Sequence, residues 1–260
     1  MRIVTWNVNS LRARLPRVLQ LLDEHQPDVA LLQETKTAPD TFPTEELAEA
    51  GYAAAHNSGG QWAGVAVLAR SGLTLSEPQI GLPDDGRAGI GVLEEARWCE
   101  ATVQGIRFAS AYVPNGRTLD SPEYPRKLAF LNAMGARIAP LSGGDLIVGG
   151  DMNIAPTDLD VYDPAAFVGG THVSAPEREH LERIIVGGMV DAYRALHPDE
   201  VQYTWWDYRA GNFHKGLGLR IDLALVSAGL ATRLVSCGID RDYRKGKKPS
   251  DHAPLLLELG

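Results

Sequence analysis

Leu146-Ile147-Val148-Gly149-Gly150-Asp151-Met152-Asn153 is the stretch from which the fold can be read. The apolar run Leu146-Ile147-Val148 has the composition of a short buried strand. Two glycines follow and are expected to end it. A carboxylate and a carboxamide then stand two residues apart. Alternate residues of an extended chain point the same way, so Asp151 and Asn153 can aim at one point just beyond a strand end. An Asx-turn, favoured by Gly and Asn, is the plainer reading of the same residues. Repetition weighs against it, because several other apolar runs of this chain end in the same fashion.

Upstream, residues 3–8 are β-branched and aromatic, hence a strand, and close on Asn7-Val8-Asn9. A loop with Arg12 and Arg14 follows. Pro16 suits the first turn of a helix in which Leu15, Val18, Leu19 and Leu22 keep helical spacing until Pro27. The strand at 28–32 ends in Gln33-Glu34-Thr35-Lys36. A short helix at 44–50 is expected, capped by Thr44. Strands are expected at 64–70, 98–103 and 106–113, the last two joined through Gln104-Gly105. The third closes on Tyr112-Val113-Pro114-Asn115-Gly116. Residues 124–138 read as a helix with Leu128, Leu131, Met134 and Ile138 on one face.

Downstream, 158–171 is polar and turn-rich, and 175–186 and 190–196 are helical. Residues 203–206 are short and extended, and 209–218 form a Gly-rich loop. The strand at 220–226 carries Asp222 within an otherwise apolar run. A strand at 234–240 and a basic loop at 241–248 precede Pro249-Ser250-Asp251-His252 and a final strand at 255–259. Strands throughout, with helices between only some of them, predict mixed sheets with helices packed outside, in one domain over residues 1–260.

The chain of 260 residues is 44% hydrophobic, enough for a substantial core. Its net charge of −8 excludes a uniformly basic coat, so a nucleic-acid site has to be a local patch. Cys99 and Cys237 have no metal-binding spacing and read as reduced core residues of a cytoplasmic protein. The first residues look like a strand and not a signal peptide. No apolar run approaches the ~20 residues of a membrane span.

The polar residues at strand ends are Asn7, Glu34, Tyr112, Asp151, Asn153, Asp222, Asp251 and His252. Asp222 is the hardest to assign to packing, since a carboxylate amid Ile221, Leu223 and Leu225 needs a partner. A histidine is a suitable one and would be held in one tautomer. Hard cations such as Mg²⁺ prefer oxygen ligands. Glu34 is the best candidate anchor, with Asn7 and Asp251 near it. A phosphodiester needs an activated water and neutralised phosphoryl oxygens. Asp151 can orient or deprotonate water, Asn153 can donate to a phosphate oxygen, and His252 can bond the phosphate while oriented by Asp222. The P-loop and zinc signatures are absent from the sequence.

Five separated segments carry a resemblance: Trp6 to Arg14, Leu32-Gln33-Glu34-Thr35-Lys36, Gly150-Asp151-Met152-Asn153, Leu219-Arg220-Ile221-Asp222 and Ser250-Asp251-His252. In order and across nearly the whole chain, they resemble the exonuclease III branch of the endonuclease/exonuclease/phosphatase superfamily. The resemblance implies an α+β fold: a four-layered α/β sandwich, two mixed β-sheets face to face, flanked by helices. It implies Mg²⁺-dependent 3′→5′ exonuclease activity on duplex DNA, incision 5′ to abasic sites and removal of 3′ blocking groups, by a monomer. Mn²⁺ is an expected substitute for Mg²⁺. The family pattern places metal ligation at Glu34 with Asn7 and Asp251 close by. It places Tyr112, Asp151, Asn153 and the Asp222–His252 pair around the phosphate. Either Asp151 or His252 can be the base.

Tyr203-Thr204-Trp205-Trp206-Asp207-Tyr208-Arg209 resembles the family's DNA-contacting loop. The pattern suggests Trp205 for a pocket completed by Leu219 and Ile221, and Trp206, facing the other way, for the duplex. Arg209, Asn115, Arg117 and the basic run Arg241, Arg244, Lys245, Lys247, Lys248 are candidate DNA contacts. Gly59-Gly60-Gln61-Trp62-Ala63-Gly64 departs from the lysine- and tyrosine-containing form of many members, and 212–218 also varies, which leaves damage preference open. Two other readings remain at this level: a phosphatase or phosphodiesterase of the same superfamily acting on a non-DNA phosphoester, or a catalytically silent DNA-binding homologue.

Overall fold

A computed structural model describes residues 1–83 and 95–260. Its centre is two six-stranded sheets. The first contains β1 (Arg2–Asn7), β2 (Val29–Gln33), β3 (Tyr52–Asn57), β4 (Val65–Arg70), β11 (Leu234–Ile239) and β12 (Leu255–Leu259), in the order β11-β12-β1-β2-β4-β3. The second contains β5 (Gln79–Ile80), β6 (Trp98–Val103), β7 (Ile106–Tyr112), β8 (Leu146–Asp151), β9 (Met189–Asp191) and β10 (Asp222–Ser227), in the order β5-β6-β7-β8-β10-β9. Each sheet is antiparallel except for one parallel pair, β1 with β2 and β7 with β8.

The sheets face one another across a core that includes Ile3, Leu31, Val67 and Leu257 from the first and Phe108, Ile147 and Val226 from the second. Helix α1 (Leu11–His25) and helix α2 (Thr44–Glu49) cover the outer face of the first sheet, where Leu11, Val18, Leu21 and Leu47 meet Val4, Trp6, Leu32 and Leu68. Helices α3 (Glu123–Ile138) and α4 (Ala175–Val186) cover the second, where Phe130, Leu131, Met134 and Leu181 meet Ala109, Val148 and Leu223. The result is the expected four-layered sandwich. Three short helices, α5 (Ala192–Leu196), α6 (Asn212–Lys215) and α7 (Ala228–Ala231), lie in the connections. Among the described residues no helix is long and apolar enough to cross a membrane.

Several local expectations change. Gly149 and Gly150 do not end β8; the strand runs through both to Asp151. A side chain at Gly149 would come within 2.7 Å of Leu31 Cδ1 and 3.1 Å of Thr5 Cβ, and one at Gly150 would run into the Ala111 carbonyl. These glycines let the strands and sheets approach closely beside the site. Pro16 lies inside α1, not in its first turn, and the helix begins at Leu11 with Ser10 Oγ accepting from Ala13 N. Arg12 and Arg14 are therefore helical. Thr44 is the first residue of α2, not its cap, which is Pro43. Strand β3, alanine-rich and edge-lying, escaped the periodicity. The segment at 190–196 divides into the end of β9 and α5, because Asp191 caps α5 by accepting from Tyr193 N and Arg194 N. The loop at 209–218 contains helical turns at Arg209–Gly211 and Asn212–Lys215.

Candidate active site

Strand register builds the site. In the second sheet Asp151 is paired with Tyr112 on one side and Asp222 on the other, so three polar side chains stand level at the ends of β7, β8 and β10. In the first sheet Asn7 is paired with Gln33, the residue before Glu34. Glu34 has φ 52°, and this left-handed turn ends the strand and changes the chain's direction. His252 stands just before β12, the antiparallel neighbour of β1. Both sheets thus end their central strands at one place.

Asn7 Nδ2 donates to Glu34 Oε1 at 2.8 Å and to Asp151 Oδ2 at 2.9 Å. Its two hydrogens are then committed, and Asn7 Oδ1 accepts from Asn9 N at 3.0 Å. Asn7 is a bridge between carboxylates. His252 Nδ1 is 2.8 Å from Asp222 Oδ2. A carboxylate accepts, so Nδ1 carries the proton. His252 Nε2 lies 3.7 Å from Asp151 Oδ2. Asp222 Oδ1 is buried without a partner among the described residues. Asn153 has φ 50° and its N–H donates to Asp151 Oδ1 at 2.9 Å. The Asx-turn and the convergent placement of Asp151 and Asn153 are therefore one geometry.

Burial raises the pKa of Asp151 to about 7, with the nearby Asp222 and Glu34 charges adding to the shift and the His252 imidazolium opposing it. Burial alone would lower His252, but Asp222 and Asp151 hold it up at about 10. Burial lifts the Tyr112 hydroxyl well above its ordinary range, helped by the Glu34 charge. The Arg97 guanidinium lies over the Tyr112 ring at 4.5 Å.

Ligand atoms of Glu34, Asp151 and His252 lie within 4.8 Å of one another. Two carboxylates brought this close suit a hard divalent cation. A positive charge already sits there: Lys36 Nζ is 2.6 Å from Glu34 Oε2. The cluster differs from the expected set of Glu34, Asn7 and Asp251. Asp251 accepts instead from Asn9 Nδ2 at 2.9 Å and Trp205 Nε1 at 3.1 Å. Burial would raise its pKa, yet His252 and these two donors hold it below the usual carboxylate range. Asn9 and Lys36 link it to Glu34, since Lys36 Nζ donates to Asn9 Oδ1 at 2.7 Å.

The two tryptophans reverse part of their assignment. Trp206 is fully buried and cannot face a duplex. Its ring stands edge-on to Phe213 at 5.1 Å, with the guanidiniums of Arg241 and Arg244 beside it at 5.3 and 5.9 Å. Trp205 is partly buried over a small cluster of Ala155, Val161, Leu219 and Ile221. Leu219 and Ile221 are themselves covered, so they back Trp205 and do not form an exposed wall. Arg244 is also buried, donating to the carbonyls of Ser250 and Trp206. It is structural, unlike Asn115, Arg117, Arg209, Arg241, Lys245, Lys247 and Lys248, which are exposed.

One neighbour was not expected. His172 is buried with Nδ1 2.6 Å from the Asn153 carbonyl, so Nδ1 donates. Burial and the Lys127 charge depress its pKa to about 4. It lies in the turn-rich segment before α4, where no strand end draws attention to it.

Comparison with known proteins identifies relatives of the whole chain. A family model described as Endonuclease/Exonuclease/phosphatase family matches residues 4–252. Exodeoxyribonuclease III of Haemophilus influenzae is 32% identical over 272 residues, covering 100% of both chains. A 3′ phosphatase from Neisseria, solved bound to a product DNA hairpin, superposes with a TM-score of 0.94 at 37% identity, covering 100% of this chain and 99% of that one. An AP endonuclease from Archaeoglobus fulgidus superposes with a TM-score of 0.93 at 33% identity, with the same coverage.

Proposed function

This chain belongs to the endonuclease/exonuclease/phosphatase family, in its exodeoxyribonuclease III branch, and on that premise we propose that it processes 3′ ends of duplex DNA. It is a hydrolase of phosphodiester bonds. The proposed activities are 3′→5′ removal of nucleotides, release of 3′ blocking groups and incision 5′ to abasic sites. The names of the relatives, an exodeoxyribonuclease, a 3′ phosphatase and an AP endonuclease, support the reading, and that of the Neisseria protein points to 3′ ends. The single observation that carries the reading is the convergence of Glu34, Asp151 and His252 where the two sheets end.

In the proposed mechanism Asp151, with its pKa near neutrality, accepts a proton from the attacking water and hands it to the leaving oxygen as the phosphorus–oxygen bond breaks. The protonated His252, held by Asp222, donates through Nε2 to a phosphoryl oxygen. Asn153 keeps one carboxamide hydrogen free, the other being given to the Val113 carbonyl at 2.9 Å, and offers it to the phosphate. Tyr112 supplies a hydroxyl that stays protonated. Asn7 holds Glu34 and Asp151 apart. Glu34, with Asp151 beside it, would hold Mg²⁺, or Mn²⁺ in its place, which would supply charge neutralisation for the phosphoryl group.

The exposed Asn115, Arg117, Arg209, Lys247 and Lys248 are proposed to contact DNA phosphates, and Trp205 to wall the pocket. Arg117, Arg209, Lys247 and Lys248 would supply the local positive charge that a protein of net charge −8 needs for this contact. We place the activity in a single domain, acting as a cytoplasmic monomer. The test uses three end-labelled duplexes, with a recessed 3′ end, a 3′ phosphate or one abasic site, each with Mg²⁺ or chelator. Mg²⁺-dependent shortening and phosphate release support the reading. Inertness on all three, with hydrolysis of a non-DNA phosphoester, would move the protein to the phosphatase alternative.

A further inference from the structure

Lys127 lies in α3 with no exposed surface, among Phe130, Leu131 and Met134. A buried ammonium is costly, and a buried ion pair is weak evidence for stability. The helices α3 and α4 already meet through Leu131, Leu181 and Ile184. The charge therefore asks for a different account.

Its partners give one. Lys127 Nζ donates to the main-chain carbonyl of Asn153 at 2.7 Å and to that of Asn115 at 3.3 Å. It also donates to Thr171 Oγ1 at 3.3 Å and is closely paired with Glu177 Oε1. An ammonium is a compact cation with three donors, able to serve carbonyls from separate segments at once. The two carbonyls belong to the loops that follow β7 and β8. With both turned toward Lys127, the side chains of the same residues meet on the site: Asn115 Nδ2 donates to Asn153 Oδ1 at 3.2 Å. Glu177 is fixed in turn. Its Oε2 accepts from Ser174 N at 3.0 Å and Ser174 Oγ at 2.5 Å, and its Oε1 from His172 N at 3.1 Å. Gly116 leaves room for the lysine stem, since a side chain there would come within 2.9 Å of Lys127 Cδ.

We propose that Lys127 is a positioning residue for phosphodiester cleavage. Its ammonium fixes the Asn115 and Asn153 carbonyls from behind the site, and so sets the direction of both carboxamides. Glu177 neutralises the ammonium, which the Asn115 and Asn153 carbonyls and Thr171 Oγ1 also hold in place. The proposal rests on the nuclease reading for its kinetic readout only.

The test compares wild type, Glu177→Gln and Lys127→Met/Glu177→Gln. The readouts are melting temperature, kcat and KM on a duplex with a recessed 3′ end, and the side-chain amide resonances of Asn115 and Asn153. The double variant is expected to lose about 10- to 100-fold in kcat with KM changed less than about threefold, the scale of a misplaced contact group. Its Asn115 and Asn153 amide signals should broaden. Glu177→Gln keeps the ammonium, so its melting temperature falls while kcat stays within about threefold of wild type. Near-wild-type kcat in the double variant, or a loss in Glu177→Gln as large as in the double, overturns the proposal. Where the double variant does not fold, Glu177→Gln decides alone: a tenfold or larger fall in its kcat, or broadening of its Asn115 and Asn153 amide signals, overturns the proposal. A wild-type protein inert on the duplex contradicts the nuclease reading instead. The amide signals then decide alone, and their persistence in the double variant overturns the role of Lys127.

Discussion

Asn7 Nδ2 lies 2.9 Å from Asp151 Oδ2, so the end of a strand in one sheet is hydrogen-bonded directly to the end of a strand in the other. The second hydrogen of the same amide holds Glu34. Two carboxylates are thereby spaced by one neutral group. Asn7→Leu keeps the volume and removes both donors, each worth about 1.5–3 kcal/mol when the acceptor is charged. Cleavage by this variant should fall by about 100-fold or more, with a steeper demand for divalent cation. Steady-state rates across a Mg²⁺ series check this, and a change of less than a few-fold would remove the bridge from the account.

Asp222 and His252 form a unit through the 2.8 Å bond at Nδ1. His252→Ala should cost on the order of 10²-fold in kcat. The double variant with Asp222→Ala should be little worse than His252→Ala alone, because residues acting together are non-additive. Losses that multiply in full would show the two working separately.

The raised pKa of Asp151 has a consequence for stability. A carboxylate with a folded pKa of about 7 and an unfolded value near 4 is better protonated in the folded state. Native protein therefore binds the extra proton between those values, and stability falls as pH rises from about 4 to about 7. The penalty is full above pH 7 and absent below pH 4. In chelator, Asp151→Asn should gain on the order of 2 kcal/mol at pH 8, part of the shift being offset because His252 loses a partner. The gain should vanish near pH 4. Denaturant titrations at both pH values measure it, and a variant less stable than wild type at pH 8 contradicts the assignment.

Trp206 and Trp205 should separate cleanly. Trp206 is packed against Phe213, Arg241 and Arg244, so Trp206→Ala should cost about 3–5 kcal/mol of stability. Binding should fall with it, because the turns at 209–216 and the loop at 241–248 share that support. Trp205→Ala removes only a partly buried ring and should keep the fold while weakening DNA binding by roughly 1–3 kcal/mol if bases stack on it. Melting curves and duplex affinities of both variants decide. A Trp206→Ala protein with wild-type melting and lost binding would restore the original assignment.

The tryptophan pair shows where sequence reading stopped. Alternation in an extended segment gave opposite directions for the two rings, and in the structure one of them is indeed inward. Nothing local says which, because Arg241, Arg244 and Phe213 arrive from elsewhere in the chain. Strand ends were legible at Asn7, Glu34, Asp151 and Asp222 because apolar β-rich runs stop there in oxygen-bearing side chains. The continuation of β8 through Gly149 and Gly150 was not, since its cause is the approach of Thr5, Leu31 and Ala111. Pro16 was misplaced because a proline only a turn and a half into a helix looks like one at its start. His172 and Lys127 left no mark at all: both reach the site through the main-chain carbonyl of Asn153, to which any residue would contribute alike.

The most direct measurement follows a 5′-labelled duplex with a recessed 3′ end, cleaved by wild type and Glu34→Gln across a Mg²⁺ series with a chelator control. The expected result is a ladder shortened from the 3′ end, no product in chelator, and a Mg²⁺ midpoint at least about tenfold higher for Glu34→Gln, the scale of a lost ligand group. Shortening that persists in chelator, or the same Mg²⁺ midpoint in both proteins, would contradict it.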